Sequence, residues 1–221
     1  MNPPIYSAVR SVGVLKPIFQ DQPVDGKIFA DTLDVLGTAF WLKSEKVLIT
    51  CAHVIRGLVD TPLVLAGLLV VGHQGSYVRA TVDALDYTHD LAVLRLVADS
   101  DIVEPEAATG LVLANSYPET GSRVGYAGFP LGHQLLDVSQ DPTYAVGVVG
   151  TQKRPNPGRK NIQISGPVVG GYSGSPVVQE SRPDEVIGIV SDSPSKEAGQ
   201  ASIFMATSWE HIAAIARLAI S

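Results

Sequence analysis

A single cysteine, Cys51, among 221 residues excludes an internal disulfide and any cluster of thiolates around a metal. Its bland reading is a buried small hydrophobe. Small secreted folds commonly lean on several disulfides, so this usage points to a reducing compartment, and a cytoplasmic protein is expected. Charge is also sparse. Charged residues make up 17% of the chain, the net charge is −6, and no cluster of Lys and Arg stands out. The broad cationic footprint that displaces counterions from nucleic acid is therefore missing, and no nucleic-acid partner is expected. The longest apolar run, Leu63 to Val71, falls well short of the roughly 20 residues that span a bilayer and reads as a buried strand. Met1-Asn2-Pro3-Pro4 lacks the basic start and apolar stretch of a signal peptide, so a soluble protein without membrane attachment is expected. No His/Cys/Glu spacing resembles a ligand set, so neither metal nor cofactor is expected.

What the chain does have is turn chemistry between short apolar segments. It holds 21 Gly, 15 Pro and 45% hydrophobic residues, a composition that fits a turn-rich globular fold. Val35 to Thr50 reads as two apolar segments around a polar turn at Lys43 to Lys46, a hairpin that delivers His53. Further strand-like segments are Tyr77–Leu85, Leu91–Leu96, Arg123–Gly128, Tyr144–Val149, Asn161–Ile164, Ser175–Val178 and Val186–Ser191. Strand–helix alternation is absent, so an all-β fold is expected. Polar Ala98–Gly110 reads as a linker, dividing the chain into units 1–108 and 109–221, and polar Gln152–Lys160 reads as a mobile surface flap. One helix is expected, at the C-terminus, where Thr207 and Glu210 form a capping-box pattern and Ile212, Ile215, Ala216 and Ala219 share one face.

Three places carry chemistry. Gly171-Tyr172-Ser173-Gly174-Ser175-Pro176 sets a serine between glycines, which permit a tight backbone and close approach of a carbonyl. In such a turn the N–H groups of Gly171 and Ser173 can converge on one oxyanion. A serine hydroxyl needs a base, and imidazole serves near neutral pH. Of His53, His73, His89, His133 and His211, only His53 follows directly on an apolar strand, Leu48-Ile49-Thr50; solvated or capping roles account for the other four. The base needs an acceptor that fixes its tautomer. Asp90 at the mouth of Leu91–Leu96 provides a held carboxylate, with Asp83 and Asp86 as nearby rivals. Taken singly, each signal has a structural explanation: a glycine-rich loop, a core histidine, a strand-edge aspartate.

Their order adds what the single motifs lack. His, Asp, Ser is the order of chymotrypsin-type enzymes, whereas α/β-hydrolases run Ser, Asp, His and subtilisins Asp, His, Ser. TCAHVI, HDLAVLRL and GYSGSPVV resemble the three hallmark segments of trypsin-like serine peptidases, especially the bacterial disulfide-poor branch typified by HtrA proteases. The resemblance extends to Gly37–Phe40, Val124–Pro130 and Val186–Ser191 and so covers nearly the whole chain from Gly37. It implies two six-stranded antiparallel β-barrels with a C-terminal helix, and a serine endopeptidase acting on protein or peptide substrates through His53, Asp90 and Ser173, with Gly171 and Ser173 as the oxyanion hole. It further implies that the Ser191 hydroxyl supports Asp90, that Ser191 to Ser193 pair with an extended substrate, and that Pro167, Val168 and Ser193 line the pocket. No carboxylate stands at the expected pocket base, so a small or medium apolar residue is expected before the scissile bond. Two departures bear on function. Tyr172 stands where secreted relatives have the aspartate that receives a new N-terminus on zymogen activation, and no PDZ-type domain is expected within these 221 residues, so the protein is expected either to stand alone or to be a catalytic module of something larger. The first motivates activation by a partner, ligand or oligomerisation; the alternative function is a peptide-binding module that does not cut.

Overall fold

The computed structural model describes residues 3–17, 30–44, 46–60, 68–73, 76–97, 110–131, 141–156, 158–192 and 203–219. The first barrel is built from β1 (Val9–Pro17), β2 (Ala30–Leu42), β3 (Val47–Thr50), β4 (Leu68–His73), β5 (Ser76–Asp86) and β6 (Leu91–Leu96), with a short helix α1 (Pro4–Ala8) before it and α2 (Ala52–Val59) after β3. Every pairing in it is antiparallel, in the order β1-β2-β3-β6-β5-β4, and β4 closes back on β1 from Ser11–Gly72 to Leu15–Leu68. Closure removes the exposed edge that an open sheet of this kind would offer to other chains.

The second barrel comprises β8 (Arg123–Gly128), β9 (Thr143–Asn156), β10 (Arg159–Ser165), β11 (Pro176–Gln179), β12 (Arg182–Asp192) and β13 (Ile203–Ser208), closed by the pairing of β11 with β12. A two-residue strand, β7 (Val112–Leu113), joins β12 in parallel as a seventh member. The chain ends in helix α3 (Trp209–Leu218). The all-β, double-barrel expectation holds, with β7 the one parallel addition among the described strands.

Two apolar clusters hold this together. One fills the first barrel and runs on through Ala127, Phe129, Val186 and Ile189 to Ile212 and Ile215 of α3, so the seam between the barrels is itself core. The other centres on Tyr126, Ile162, Ile164, Ile187 and Phe204 inside the second barrel, with Tyr126 meeting Tyr172 and Phe204 edge-on at 5.4 and 5.0 Å. Fully burying one such aliphatic or aromatic side chain contributes about 1.5–3 kcal/mol. The ends of the chain cross over: α1 packs on β8 and β12 of the second barrel, while α3 packs on β3, β5 and β6 of the first as well as on β12 and β13. Leu111, fully buried, clips the seam by accepting the Lys43 N–H at 2.8 Å and donating to the Trp41 carbonyl at 2.9 Å.

Several local expectations are corrected. Gln152–Lys160 includes the end of the β9–β10 hairpin, with Arg159 paired to Asn156; residue 157 lies outside the described residues. The capping box of α3 does not form, because Ser208 is the N-cap and the Thr207 hydroxyl donates instead to the His89 carbonyl at 3.2 Å. Ile212, Ile215 and Ala216 do face the core. Residues 98–109 of the expected linker lie outside the described residues.

Candidate active site

His53 sits in the first turn of α2, immediately after β3 has been locked between β2 and β6. The first N–H groups of a helix have no partner within it. Here that of His53 is met by Asp90, whose Oδ1 accepts it at 2.9 Å while Oδ2 lies 2.7 Å from His53 Nδ1. A carboxylate at a helix start is also favoured by the helix dipole. Both bonds point the ring one way. In the tautomer whose Nδ1–H donates to Asp90, Nε2 is left without a proton, and the His53 side chain is 44% accessible against 19% for Asp90.

Asp90 reaches His53 because the turn before β6 is built from side chains. Asp86 accepts the backbone N–H groups of Thr88 and His89 at 2.9 and 3.1 Å, an Asx-type turn. The chain then passes through a left-handed conformation at Asp90, φ +58°, one that aspartate tolerates better than most residues. Burial of the Asp86 carboxyl works against its ionisation, yet the hydrogen bonds from His89 and Thr88 hold it below its ordinary value. The rival carboxylates are thus otherwise engaged: Asp86 with His89, and Asp83 with Arg95 at 2.6 Å.

Ser173 belongs to the second barrel and is fastened to the first. Its carbonyl accepts the Thr38 N–H at 2.8 Å, and the Thr38 hydroxyl donates to the Gly171 carbonyl at 2.8 Å while accepting the Phe129 N–H at 3.2 Å. Thr50 holds the Thr38 carbonyl in turn at 2.7 Å. Thr38 is therefore a buried clamp on the serine loop. Its sequence signal is a hydroxyl within the otherwise apolar stretch Val35–Leu42. Close approach also depends on Gly37, where a Cβ would come 2.8 Å from Val54 and 2.9 Å from the Ser173 carbonyl. Gly171 has φ +96°, and a Cβ there would sit 2.1 Å from the Phe129 carbonyl. Any other residue would force the loop apart.

With Leu131 N–H holding the Gly170 carbonyl at 2.6 Å, the backbone N–H groups of Gly171 and Ser173 make no hydrogen bond among the described residues. The Ser173 hydroxyl likewise makes none there, with His53 or any other group. Two adjacent uncommitted donors beside a half-buried serine can stabilise an anionic oxygen.

The remaining expected residues fall on the second barrel. Pro167, exposed, has its carbonyl pinned by the Tyr126 hydroxyl, and Val168 packs on the second core. Burial, then the neighbouring Tyr172, pushes the Tyr126 phenol up, so it stays a proton donor. Ser191 does not support Asp90: its hydroxyl donates to the Met205 carbonyl at 3.2 Å. The pairing of β12 with β11 ends at Ile189, the Val190 N–H and carbonyl are taken by Ser175 and Gly174, and the pairing with β13 continues to Asp192. Ser193 and His133 lie outside the described residues. Tyr172, 5% accessible, is buried on Tyr126 rather than facing an ion partner.

Among the described residues one group offers three metal-ligating atoms, Cys51, His53 and Asp90, within 4.8 Å of one another. The ring and carboxylate are bonded to each other, however, and the fully buried thiol donates to the Val190 carbonyl at 3.2 Å. The set is arranged as a hydrogen-bonded relay rather than around an ion. Cys51 is the buried small residue its context implied.

The fold agrees with that of solved structures. An HtrA-type protease, AlgW, with a decapeptide superimposes with a TM-score of 0.72 at 20% identity over 97% of this chain, which spans 65% of the length of AlgW. The active form of the Rv3671c protease from M. tuberculosis gives 0.64 at 20% identity, covering 96% of this chain and 80% of that one. Among curated proteins, none matches. The family model for the trypsin-like peptidase domain matches residues 37–189, a span that holds His53, Asp90 and Ser173, and the chain belongs to that family.

Proposed function

We propose that the protein is a serine endopeptidase in which Ser173 attacks, His53 carries the proton, Asp90 orients and stabilises the imidazolium, and the N–H groups of Gly171 and Ser173 hold the oxyanion. One observation carries this reading: a single carboxylate bonded to both the backbone N–H and Nδ1 of His53, across the barrel seam from a serine flanked by uncommitted donors. In the first half-reaction Ser173 Oγ bonds to the scissile carbonyl carbon as its proton passes to His53 Nε2. That proton then goes to the leaving amine, and the C–N bond breaks to give the acyl-enzyme. Water, deprotonated by the same nitrogen, releases the acid and restores the serine.

An extended peptide adds to the edge of β12 beyond Val190, whose own N–H and carbonyl are taken by Ser175 and Gly174, by main-chain pairing that is tolerant of sequence. The wall at Pro167–Val169 is apolar, which favours a small or medium apolar side chain before the scissile bond. Tyr172 supports a route to the active loop other than a zymogen salt bridge. Its ring is packed into the second core, and the Gly170 carbonyl is held by Leu131, so the Gly171 N–H on the same trans peptide faces the opposite way. With the loop set in this way, activity without a partner is expected. Incubation with a diverse peptide mixture and mass spectrometry of the products checks the reading. Internal cleavage with apolar residues enriched before the cut is expected, whereas binding without cleavage would favour a non-catalytic peptide module.

The Thr38 clamp gives a second test. Thr38→Val keeps the strand-compatible shape but strips partners from the Gly171 carbonyl and the Phe129 N–H. It is expected to cost about 1–3 kcal/mol of stability and, through loss of oxyanion-loop order, about 10–100-fold in kcat/KM. Denaturant titration beside steady-state kinetics measures both.

A further inference from the structure

Behind the turn that carries Asp90, two histidines with no part in the proton transfer lie face to face. The rings of His89 and His211 are 3.9 Å apart between centroids and 20° from parallel. His89 precedes Asp90 in the first barrel; His211 is on α3, beyond the second. Each ring has one nitrogen engaged. His89 Nδ1 lies 2.5 Å from Asp86 Oδ2, and His211 Nε2 accepts the backbone N–H of Lys160 in β10 at 3.0 Å. A ring nitrogen that accepts is unprotonated, so His211 is held neutral as its Nδ1–H tautomer. The peptide between His89 and Asp90 is tied a third time by the bond from Thr207 to the His89 carbonyl. Three elements thus brace one turn, and that turn holds a non-glycine residue in the left-handed region at Asp90.

We propose that His89 and His211 are positioning residues that form a proton-sensitive brace. With His211 neutral, the stack and the Lys160 bond hold Asp90 against His53. A proton taken from solvent by His211 Nε2 removes the acceptor, sets a cation against the His89 ring, and loosens the turn. Activity then falls in acid by a step separate from protonation of His53. The inference rests on the proposed catalytic roles of His53, Asp90 and Ser173.

The surroundings of His211, burial foremost, favour the neutral state. From the first barrel it faces His89 and Asp86, from β10 Lys160, and on its own helix Glu210, which pairs with Lys160; the Tyr117 ring lies 5.8 Å from the Lys160 ammonium. Farther along α3, Arg95 pairs with Asp83 and reaches the Ala219 carbonyl. Burial first, then His89, and last Lys160 push His211 down, outweighing the opposite pull of Glu210 and Asp86. Because the folded value lies below the ordinary 6.5, the unfolded chain takes up this proton first. The contribution to stability is therefore present above about pH 6.5 and is lost as pH falls through the lower folded value.

The test compares wild type with His211→Gln, whose amide oxygen can accept the Lys160 N–H but does not ionise, and with His211→Ala, which has no acceptor. Histidine ring resonances are followed by NMR from about pH 5 to 8, and the rate of labelling by a fluorophosphonate is measured across the same range. In wild type the His53 resonance is expected to show a second inflection coincident with the titration of His211, and labelling to fall in acid with a slope approaching two. In His211→Gln that inflection disappears, the slope returns to one, and labelling at the acid end is about tenfold faster than wild type. His211→Ala labels more slowly at every pH, and Gln restores the rate. Identical His53 titrations and labelling profiles in wild type and His211→Gln overturn the brace, even if the Ala variant fails to fold. A coupled His53–His211 titration with no labelling at any pH leaves the brace standing and removes the hydrolytic reading.

Discussion

Ser173→Ala is expected to lower kcat/KM toward any cleaved peptide by roughly 10⁴-fold or more while leaving the fold intact. The loop does not depend on the side chain. It is held by the Ser173 carbonyl through Thr38, by the Gly174 N–H through Val190, and by the Thr38 hydroxyl through Gly171, whereas the Ser173 hydroxyl has no hydrogen-bond partner among the described residues. Deleting it therefore removes a nucleophile and no structural bond, so the thermal midpoint should move by no more than a surface substitution would move it, about 0.5 kcal/mol in stability. Peptide affinity should persist, since the edge of β12 and the pocket wall are untouched. The check is steady-state kinetics beside calorimetry and a binding isotherm. Unchanged turnover would remove Ser173 from the mechanism, and a large drop in melting temperature would mean that the side chain has a structural role this account does not give it.

Asp90→Asn is expected to cost about 10⁴-fold in kcat near pH 7, again without unfolding. The substitution is close to isosteric, and asparagine accepts the left-handed φ of +58° at least as readily as aspartate, so the turn should keep its course. The amide oxygen can still take the His53 N–H. Its NH₂ group, though, would face Nδ1 and donate to it, which forces the ring proton onto Nε2, the nitrogen that must receive the proton of Ser173. The loss is thus one of tautomer and of imidazolium stabilisation, worth about 5.5 kcal/mol. Measured kinetics should show the loss in kcat with KM little changed. A loss confined to KM would place Asp90 in substrate binding instead.

The family and the candidate site were easier to read from the chain than the structure that positions them. The β6 span Leu91–Leu96 and the β8 span Arg123–Gly128 coincide with their apolar runs, because each is a buried strand punctuated by turn residues. β1 was missed. Its sequence, VRSVGVLKP, mixes charge and glycine, and its register is set by β2 and β4, far along the chain. Arg10, 3% accessible, looks wrong for a core until its guanidinium is found donating to the Ser7 and Val9 carbonyls; burial lowers it to about 10, still protonated near neutral pH. Helix α2, AHVIRGLV, has two valines, an isoleucine and a glycine, poor helix formers, and exists because Ala52, Val54 and Ile55 are buried by the barrel.

Polar pairings misled for one shared reason: a hydroxyl or imidazole satisfies the partner that tertiary structure brings, and local sequence does not name that partner. Thr207 leaves its capping box for the His89 carbonyl, Ser191 turns to Met205, and His89 and His211, 122 positions apart by number, stack. His53, Asp90 and Ser173 were legible because each is delivered by a local device, a strand end, a side-chain turn and a glycine loop. Order along the chain then removed the rival folds. Their joining depends on Thr38 and Gly37, which the motifs alone did not mark as site residues.

The central claim is that Ser173 is activated by His53 and Asp90, and covalent labelling reads that activation without knowledge of the substrate. The purified protein is treated with a fluorophosphonate at neutral pH and its adduct is mapped by peptide mass spectrometry. A single adduct on Ser173, fast in wild type and slowed to the background rate in Asp90→Asn, is the predicted result. Labelling of a different residue, or equal rates with and without the Asp90 carboxylate, would contradict it.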